Sequence, residues 1–475
     1  MILVLDIGTS SIRAVLCDQA ARPISATRAR IDRPVSKATN GGAELDPDLA
    51  FDEVVRVIDT CLARSENVVG EIEYVTGCSF WHSLVGIDSR GKPTTPVFTW
   101  ADTQSRNYSA ELKRRFDEKA VHDRTGAHFH SSFWPAKLLW LKRDRPEAWK
   151  RTVMWVSFSD YVCRRLLASA MTSVSMASGT GLFDIRRQEW DRQLLKFLKV
   201  RSDQLPEIPS NSTTYRLKPA FARRWPRLAR SHWLATIADG AADSIGAGCV
   251  TKNKAALMIG TSGAMRVIYE GEPPDEIPDG LWCYRVDEKR VIIGGALSDG
   301  GNLYAWLTRN LNVPKNAADE MRRRGAAAHG LTFSPFLHGE RSTGYDEDAT
   351  AAILGLTASH DAVDILQAGM EAVAYRIAEI FDRLKAVVPI REIVASGGAL
   401  RDSPVWGQII ADVLGRDLTL NNTRESALRG AVLLALESTG KIESIESIPP
   451  ERRGTLKYHP ECHAVYKKAR KRLNK

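Results

Sequence analysis

A short motif suited to phosphate binding occurs twice in the chain. Near the start, an apolar run leads into Gly8-Thr9-Ser10 and a second apolar run follows; the same pattern surrounds Gly260-Thr261-Ser262 in the middle of the chain. Each copy predicts a strand, a tight turn and a second strand. Glycine lets a ligand approach the backbone, and successive N–H groups in such a turn form an anion-binding concavity to which the hydroxyls add donors. Two copies facing each other would hold a polyphosphate from both sides.

An ordinary hairpin turn also contains these residue types, so one copy alone would favour a purely structural turn. The matched pair and a nearby carboxylate favour nucleotide binding. Asp6 ends the first predicted strand, where its burial is costly unless a cation meets it. A Mg²⁺ ion that bridges phosphates and is reached through water is a natural partner. The second strand of each copy also carries one arginine, Arg13 and Arg266, and we assign Arg13 to the nucleotide site.

Asp239 is the candidate catalytic base. It lies between the two halves of the chain and precedes Gly240 and two alanines, which leave space for a ligand at a helix N-terminus. A hydroxyl that accepts a phosphoryl group needs an adjacent carboxylate to take its proton. The alternative is that Asp239 only caps the following helix, since aspartate is a favoured N-cap residue. Asp243 is the rival base, but we expect it to face solvent or a neighbouring turn.

Further glycine turns are expected beside the phosphate hairpins. Gly397-Gly398 follows a predicted strand, where bare backbone would admit an adenine ring or the α-phosphate. An ordinary strand-to-helix turn is the alternative. We include Gly300, Asn302, Gly397 and Gly398 among the predicted nucleotide-binding residues, because a cleft needs close backbone approach at these turns.

Aromatic residues with polar neighbours indicate a site for the phosphoryl acceptor. Trp81-His82 and Trp100-Ala101-Asp102 each follow a predicted strand. Sugar recognition combines aromatic faces, which stack on C–H groups, with a few directed hydrogen bonds. His82, Trp100 and Asp102 are therefore predicted substrate contacts. The alternative is that both tryptophans belong to the core and that His82 is a satisfied structural histidine.

Composition restricts the class of protein. With 475 residues, 44% hydrophobic and 26% charged, the chain is an ordinary globular protein that is too long for one core, so two large domains are expected. No apolar run reaches the roughly 18 residues of a membrane helix, and a strand that contains Asp6 at the N-terminus argues against a signal peptide. Seven scattered cysteines without a Cys-x-x-Cys pair predict reduced thiols and a cytoplasmic location.

The net charge of +9 does not indicate a nucleic-acid partner. Lysines and arginines are spread along the chain and interleaved with acidic residues, and no recognised nucleic-acid module accompanies them. A positive field would instead attract an anionic substrate and ATP.

The hydrophobic pattern predicts alternating strands and helices, an α/β fold. In the first half we expect helices over 47–63, 103–120, 135–150 and 160–168, a strand over 74–80, and a loop-rich stretch over 170–235. The second half restarts with a hairpin over 256–269 and continues with a long helix over 360–387. A compact hinge near 240–250 would let two lobes close on ligands.

These residues together resemble the FGGY carbohydrate kinases, members of the actin-like ATPase superfamily. Asp6–Ser10 resembles the family's first phosphate motif and Ile259–Gly263 its second, while Ser396–Gly398, Pro404 and Ala411–Asp412 resemble its adenosine motif. Asp239 and Gly246 have the spacing of the catalytic-base segment. The likeness covers essentially the full length, and the motifs are highly specific as a set.

The resemblance implies two actin-like (ribonuclease H-like) α/β domains, each built on a five-stranded sheet, with ATP in the cleft between them. The N-terminal domain would span 1–245 and contain the sugar site and the first phosphate motif. The C-terminal domain would span 246–475 and contain the second phosphate and adenosine motifs. Asp239 would contact the substrate and deprotonate its hydroxyl, and with Asp6 it would hold Mg²⁺ through water. Hydroxyls and amides of Thr9, Ser10, Thr261 and Ser262 would hold the β- and γ-phosphates.

Within the family, stretches 99–102, 133–138, 175–184 and 335–341 resemble gluconokinases. This implies ATP-dependent phosphorylation of D-gluconate to 6-phosphogluconate, although the sequence identifies no group that binds the substrate carboxylate. A xylulose kinase stays open, because that subgroup shares the His82 and Trp-x-Asp features. A non-catalytic actin-like ATP-binding protein is the alternative from another class. We expect a small-molecule substrate, no nucleic-acid or membrane partner, and a chain that is able to form a homodimer.

Overall fold

The computed structural model describes residues 1–33, 38, 40–167, 169, 171–423 and 425–471. The described chain forms two lobes, each with a seven-stranded sheet on which helices pack. The expected α/β architecture is confirmed. Each sheet contains seven strands where five were expected, because further strands pair with the strands of a common core.

The first half of the chain contains thirteen strands among the described residues: β1 (Ile2–Ile7), β2 (Ser11–Cys17), β3 (Ala29–Asp32), β4 (Glu44–Leu45), β5 (Tyr74–Ser79), β6 (Val85–Ile87), β7 (Val97–Phe98), β8 (Met154–Val156), β9 (Phe183–Asp184), β10 (Glu189–Trp190), β11 (Thr214–Tyr215), β12 (His232–Leu234) and β13 (Ile237–Ala238). Its helices are α1 (Pro47–Arg64), α2 (Arg106–Arg115), α3 (Glu118–Thr125), α4 (Trp134–Asp144), α5 (Pro146–Arg151), α6 (Phe158–Leu166), α7 (Val174–Ser178), α8 (Arg192–Leu198), α9 (Pro219–Arg224) and α10 (Asp239–Gly246).

The second half contains the strands β14 (Lys254–Ile259), β15 (Gly263–Glu270), β16 (Trp282–Arg285), β17 (Arg290–Leu297), β18 (Thr332–Ser334), β19 (Ala352–Leu354), β20 (Glu392–Ser396), β21 (Leu418–Asn421) and β22 (Arg452–Leu456). Its helices are α11 (Gly301–Asn310), α12 (Ala317–Arg324), α13 (Ala362–Lys385), α14 (Gly398–Asp402), α15 (Pro404–Leu414), α16 (Ser426–Ser438) and α17 (Pro460–Arg470).

The two large sheets share one core topology. The first has the order β11-β12-β5-β1-β2-β3, with β13 also paired to β5, and the second has the order β16-β17-β15-β14-β20-β21-β22. In each sheet the opening strand, β1 or β14, pairs antiparallel with the next strand and parallel with a strand distant in sequence, β5 or β20. Each glycine turn therefore follows the carboxyl end of a central strand, which is where open α/β sheets bind ligands.

Local capping signals fix the ends of several helices. Asp46 accepts the N–H groups of the first turn of α1 and precedes Pro47, so this helix begins where the sequence predicted. Asp361 and Asp364 form a capping box at the start of α13. These two helices pack on the first and the second sheet, respectively, and bury their apolar faces there.

Two of the predicted helices are wrong in one respect, because each consists of two helices. The stretch 103–120 breaks before Asp117, whose side chain accepts the N–H of Ala120 and starts α3. The stretch 135–150 breaks at Pro146, which lacks an N–H group and starts α5. In both cases the apolar pattern continues across the break and hides it.

Helices α10 and α16 cross closely at the junction of the lobes. A Cβ atom on Gly246 would lie 1.8 Å from the carbonyl oxygen of Ser426, and one on Gly430 would lie 1.8 Å from the carbonyl oxygen of Ala242. Helix α16 also contacts β1 and β5, so it returns from the second half of the chain to the first sheet. The boundary between 1–245 and 246–475 falls at the end of α10 and stays a prediction. No described helix has both the length and the apolarity to cross a bilayer.

Candidate active site

The two glycine motifs form the predicted strand–turn–strand hairpins. The Gly8 N–H closes the β1–β2 turn by donating to the Ser11 carbonyl oxygen, and the Gly260 N–H closes the β14–β15 turn by donating to the Ser262 carbonyl oxygen, both at 2.9 Å. The backbone part of the prediction is therefore confirmed for both copies. The phosphate-binding roles of Thr9, Ser10, Thr261 and Ser262 stay predictions.

Glycines from two other elements hold the second hairpin in place. Gly397 has φ +106°, and a Cβ atom there would lie 2.2 Å from the carbonyl oxygen of Ile259. The Gly301 N–H donates to the Gly260 carbonyl oxygen at 2.8 Å, and a Cβ on Gly301 would lie 2.4 Å from that oxygen. Backbones cross at both positions, so the predicted nucleotide turns also assemble the hairpin itself.

Asn302 has a structural role at the start of α11. Its Oδ1 accepts the N–H groups of Gly300 and Leu303, both at 2.8 Å, and its Nδ2 donates to Asp299 Oδ1, also at 2.8 Å. Its backbone N–H donates to the Thr261 carbonyl oxygen at 3.0 Å. Asn302 therefore ties α11 to the second hairpin, and a direct contact with the nucleotide stays a prediction.

Asp6 faces Arg13 across the first hairpin. The two residues are register neighbours, and Arg13 Nη1 lies 3.5 Å from Asp6 Oδ2. The Cys78 thiol donates to Asp6 Oδ1 at 3.6 Å. Burial raises the pKa of Asp6 although Arg13 lowers it. Arg13 thus supplies part of the positive charge that the buried carboxylate requires.

Asp239 is the first residue of α10, and Ala238 occupies the cap position. The capping alternative is not observed, because Asp239 Oδ1 accepts the N–H of the adjacent Gly240, at 2.6 Å, instead of an N–H further into the helix. Burial raises the pKa of Asp239 to about 7; Arg266 lowers this pKa, and the charges of Asp6 and Asp243 raise it. A carboxyl group with a pKa near neutrality suits general-base chemistry at physiological pH.

The expectation that Asp243 faces solvent or a neighbouring turn is wrong. The helix turns Asp243 inward, and its Oδ2 lies 3.8 Å from Nη1 of Arg266 on β15. Arg266 is 7% exposed, and within the described structure its Nε and Nη1, like Asp243 Oδ2, have no hydrogen-bond partner. Burial raises the pKa of Asp243 and lowers that of Arg266. Sequence reasoning noted Arg266 as one arginine of a hairpin but could not place it beside α10.

Asp6, Asp239 and Asp243 form an acidic group between the lobes. The charge of Asp6 raises the pKa of both other carboxyls, as expected for close neighbours. Carboxylate oxygens are the ligands that Mg²⁺ prefers, and Asp243 Oδ2 is unpartnered in the described structure. Among the described residues these oxygens do not gather within 4.8 Å of one another. Oxygen donors suit Mg²⁺ in kind, and an ion held through water by Asp6 and Asp239 stays a prediction.

His82 has a ring nitrogen that can accept a hydrogen bond. It belongs to the predicted site for the phosphoryl acceptor, called the acceptor pocket below, which includes His82, Trp100 and Asp102. Its Nδ1 contacts the carbonyl oxygen of Gly179, and because a carbonyl can only accept, the proton lies on Nδ1. Burial holds the pKa of His82 well below its usual range, and the Arg341 charge lowers it further. The neutral ring therefore has a lone pair on Nε2, which lies 3.5 Å from Arg341 Nη2.

The two tryptophans have different roles. Trp81 is 7% exposed, and its Nε1 donates to the Ser175 carbonyl oxygen at 2.9 Å, so the core alternative holds for this residue. A Cβ on Gly240 would lie 2.8 Å from the Trp81 ring. Because Gly240 follows Asp239 directly and has no side chain, the ring can pack close to the candidate base. Trp100 is only partly buried, and its Nε1 donates to Thr9 Oγ1 at 3.2 Å. Trp100 thus connects the acceptor side to the first phosphate hairpin.

Asp102 is fully buried and its oxygens are used by the loop around it. Its Oδ2 accepts the Ala43 N–H and Gln104 Nε2, both at 2.9 Å, and its Oδ1 accepts the Gln104 N–H at 3.2 Å. These bonds hold the segment that follows Trp100. A substrate contact by Asp102 stays a prediction.

Lys137 organises the same region and was not assigned a role from the sequence. Its fully buried Nζ donates to the carbonyl oxygens of His82 (3.2 Å), Thr99 (2.8 Å) and Ser132 (2.7 Å). Burial lowers the pKa of Lys137 to about 7. Three segments that line the acceptor pocket therefore meet at one side chain.

A loop of the second lobe, residues 339–348, reaches across to the first lobe. The Arg341 guanidinium carbon lies 5.5 Å from the centroid of the Trp100 ring. Glu347 accepts a hydrogen bond from the Ser109 hydroxyl and one from the Ser131 N–H, the latter at 3.1 Å. The predicted substrate contacts Trp100 and His82 therefore lie against a residue of the second lobe, which no local sequence pattern could reveal.

Family models match both lobes. The model of the N-terminal domain of the FGGY family of carbohydrate kinases matches residues 1–227, and that of the C-terminal domain matches residues 255–438. The chain belongs to the FGGY family of carbohydrate kinases. It is a sugar kinase of that family, and the resemblance on which the sequence analysis relied is confirmed.

Similar FGGY kinases differ in the sugar that they are named for. A gluconokinase of Bacillus subtilis (strain 168) is 27% identical over 472 residues, which cover 96% of this chain and 91% of that protein. The crystal structure of a gluconate kinase from Lactobacillus acidophilus gives a TM-score of 0.91 at 26% identity and covers 100% of this chain and 96% of its own. A ligand-bound xylulose kinase from the same species gives 0.91 at 26% identity and covers 100% and 97%. The family fold is thus shared by both kinds of kinase.

Proposed function

We propose that this FGGY kinase transfers the γ-phosphoryl group of ATP to the terminal hydroxyl of D-gluconate, forming 6-phosphogluconate. The observation that carries the proposal is Asp239, a carboxyl group with a pKa of about 7 at a helix start, next to Asp6 of the first phosphate hairpin. Similarity to gluconokinases supports gluconate as the acceptor. D-xylulose is the competing acceptor, because the xylulose kinase structure matches equally well.

The proton of the acceptor hydroxyl would move to Asp239. At neutral pH a substantial fraction of this carboxyl is ionised, and the Arg266 charge favours that state by lowering the pKa. The hydroxyl oxygen would attack the γ-phosphorus in line, the bond from the γ-phosphorus to the bridging oxygen would break, ADP would leave with that electron pair, and the proton would stay on the carboxyl group. The Nε and Nη1 atoms of Arg266, which have no hydrogen-bond partner in the described structure, would donate to oxygens that gain charge.

The two hairpins would hold the phosphates of ATP. Amides and hydroxyls of Thr9, Ser10, Thr261 and Ser262 would position the β- and γ-phosphates, and the turn at Gly397-Gly398 would admit the adenosine. Asp6 and Asp239 would hold Mg²⁺ through water, with Asp243 as a further oxygen donor. The ion would offset charge on the phosphates.

The acceptor would lie between Trp100, His82 and the 339–348 loop. His82 Nε2 would accept a hydrogen bond from a sugar hydroxyl in place of its long contact with Arg341 Nη2, because the Nδ1 proton is committed to Gly179. Closure of the two lobes around the ligands would exclude water and so limit hydrolysis of ATP.

The test is an acceptor-dependent ADP-release assay with ATP and Mg²⁺ over gluconate, xylulose, glycerol and no acceptor. We expect the highest kcat/KM with gluconate and a product heavier by one phosphoryl group. Asp239→Asn is the matched inactive variant and should still bind ATP. A preference for xylulose would reject gluconate as the substrate, and ADP release that no acceptor stimulates would favour a non-catalytic ATP-binding protein.

A further inference from the structure

Arg341 brings a positive charge into the acceptor pocket that no described carboxylate neutralises. Its side chain is partly buried, and its contacts there are the Trp100 ring and His82 Nε2. The adjacent Glu340 is committed elsewhere, to Arg376 and to the Gly344 N–H. A guanidinium has five N–H donors in a planar fork that matches a carboxylate. Most of this fork is therefore available to a ligand.

The backbone on either side of Arg341 is fixed to both lobes. The Ser342 N–H donates to the Ala296 carbonyl oxygen at 3.0 Å, and the Ala296 N–H donates to the Ser342 hydroxyl at 3.1 Å. Glu347 anchors the far end of the loop to Ser109 and Ser131 of the first lobe. Because the segment is held before a ligand arrives, little ordering free energy is lost on binding.

Arg341 and His82 together match an α-hydroxy acid. Arg341 offers donors only, and its Nη2 meets the single acceptor lone pair of His82 Nε2 across a long contact of 3.5 Å, which a substrate hydroxyl would replace. A carboxylate needs donors, and the hydroxyl on the neighbouring carbon can donate to an acceptor. A neutral ketose or polyol has no anionic group for the guanidinium.

Arg341 faces the same region as the proposed base. The charges of Asp239 and Arg341 both act on Arg266, whose pKa Asp239 raises and Arg341 lowers. An acid with its terminal hydroxyl at Asp239 would thus place its carboxylate on the side of His82 and Arg341.

We propose that Arg341 binds the carboxylate of a sugar-acid acceptor and thereby makes the enzyme selective for acids over neutral polyols and ketoses. This inference rests on the proposed function and adds the group that decides the substrate class.

The test compares gluconate with D-glucitol, which differ only in the carboxylate at one end. In Arg341→Gln we expect kcat/KM for gluconate to fall roughly 100-fold or more, in line with the loss of a charge-assisted pair. The kcat/KM for glucitol and the KM for ATP should change less than about threefold. Arg341→Lys keeps the charge without the fork and should lie between. The matched control is Arg151→Gln, which removes an exposed arginine at the last residue of α5. It should leave kcat/KM for both acceptors and the KM for ATP unchanged.

A binding measurement separates this inference from the proposed reaction. Thermal shift without ATP should detect gluconate with the unaltered protein and not with Arg341→Gln. Equal losses for gluconate and glucitol would make Arg341 a contact between lobes only and would overturn the inference. If another sugar acid replaces gluconate and still depends on Arg341, the gluconate assignment fails while the inference stands. If the unaltered enzyme accepts neutral sugars and no acid, both fail.

Discussion

Replacing Asp239 by Asn should change the pH dependence of stability as well as turnover. In the folded protein this carboxyl has a pKa of about 7, raised from 3.8 mainly by burial. Between those two pH values the folded state binds more protons than the unfolded state. The free energy of unfolding of the unaltered protein therefore falls as pH rises through this window, and the destabilisation reaches its full size above about pH 7.

The magnitude follows from the pKa difference. Each pKa unit corresponds to about 1.4 kcal/mol, so a rise in the pKa of Asp239 from 3.8 to about 7 corresponds to roughly 4 kcal/mol of unfolding free energy. Asparagine has nearly the same shape and cannot ionise. Asp239→Asn should accordingly be as stable as the unaltered protein near pH 4 and up to roughly 4 kcal/mol more stable at pH 8, while phosphoryl transfer falls roughly 1,000-fold or more.

The assay is urea unfolding of both proteins at pH 4, 6 and 8 without nucleotide or divalent cation, alongside the ADP-release assay. Asp160→Asn is the matched control, because burial also raises the pKa of Asp160, to about 6, and this carboxyl belongs to the capping box at the start of α6. This control should alter the pH dependence of stability and leave turnover unchanged. Identical pH profiles for Asp239→Asn and the unaltered protein would contradict the assigned pKa, and near-normal turnover would contradict the assignment as base.

Two further predictions concern the groups around Asp239. Gly260→Val should weaken ATP binding at least tenfold in a titration. It should leave thermal stability nearly unchanged, because a Cβ at this position meets only Met258 Sδ, at 3.2 Å. Unchanged ATP affinity would make the hairpin purely structural. Arg266→Met should move the acidic limb of the kcat/KM profile to higher pH by about one unit or more, because the Arg266 charge lowers the pKa of Asp239. An unmoved limb in that variant would show that Arg266 does not act on the base.

Much of the fold was predictable from local sequence. The Gly8 and Gly260 hairpins, the starts of α1 and α13 and the strand before Gly397 all follow from residues within a few positions of one another. The breaks at Asp117 and Pro146 were missed, although both residues are known helix starters, because the apolar pattern continued across them.

Residues close together in the chain were enough to predict the family, the two hairpins and the position of Asp239 at a helix start, because turns, caps and strand periodicity depend on near neighbours. Three contacts became visible in the folded chain alone: Asp243 meets Arg266, Trp81 packs against Gly240, and Arg341 faces His82. Arg341 and His82 are 259 positions apart in sequence. Such contacts arise where two sheets, two lobes and a returning loop come together, and that arrangement leaves no periodic signal in the residues on either side.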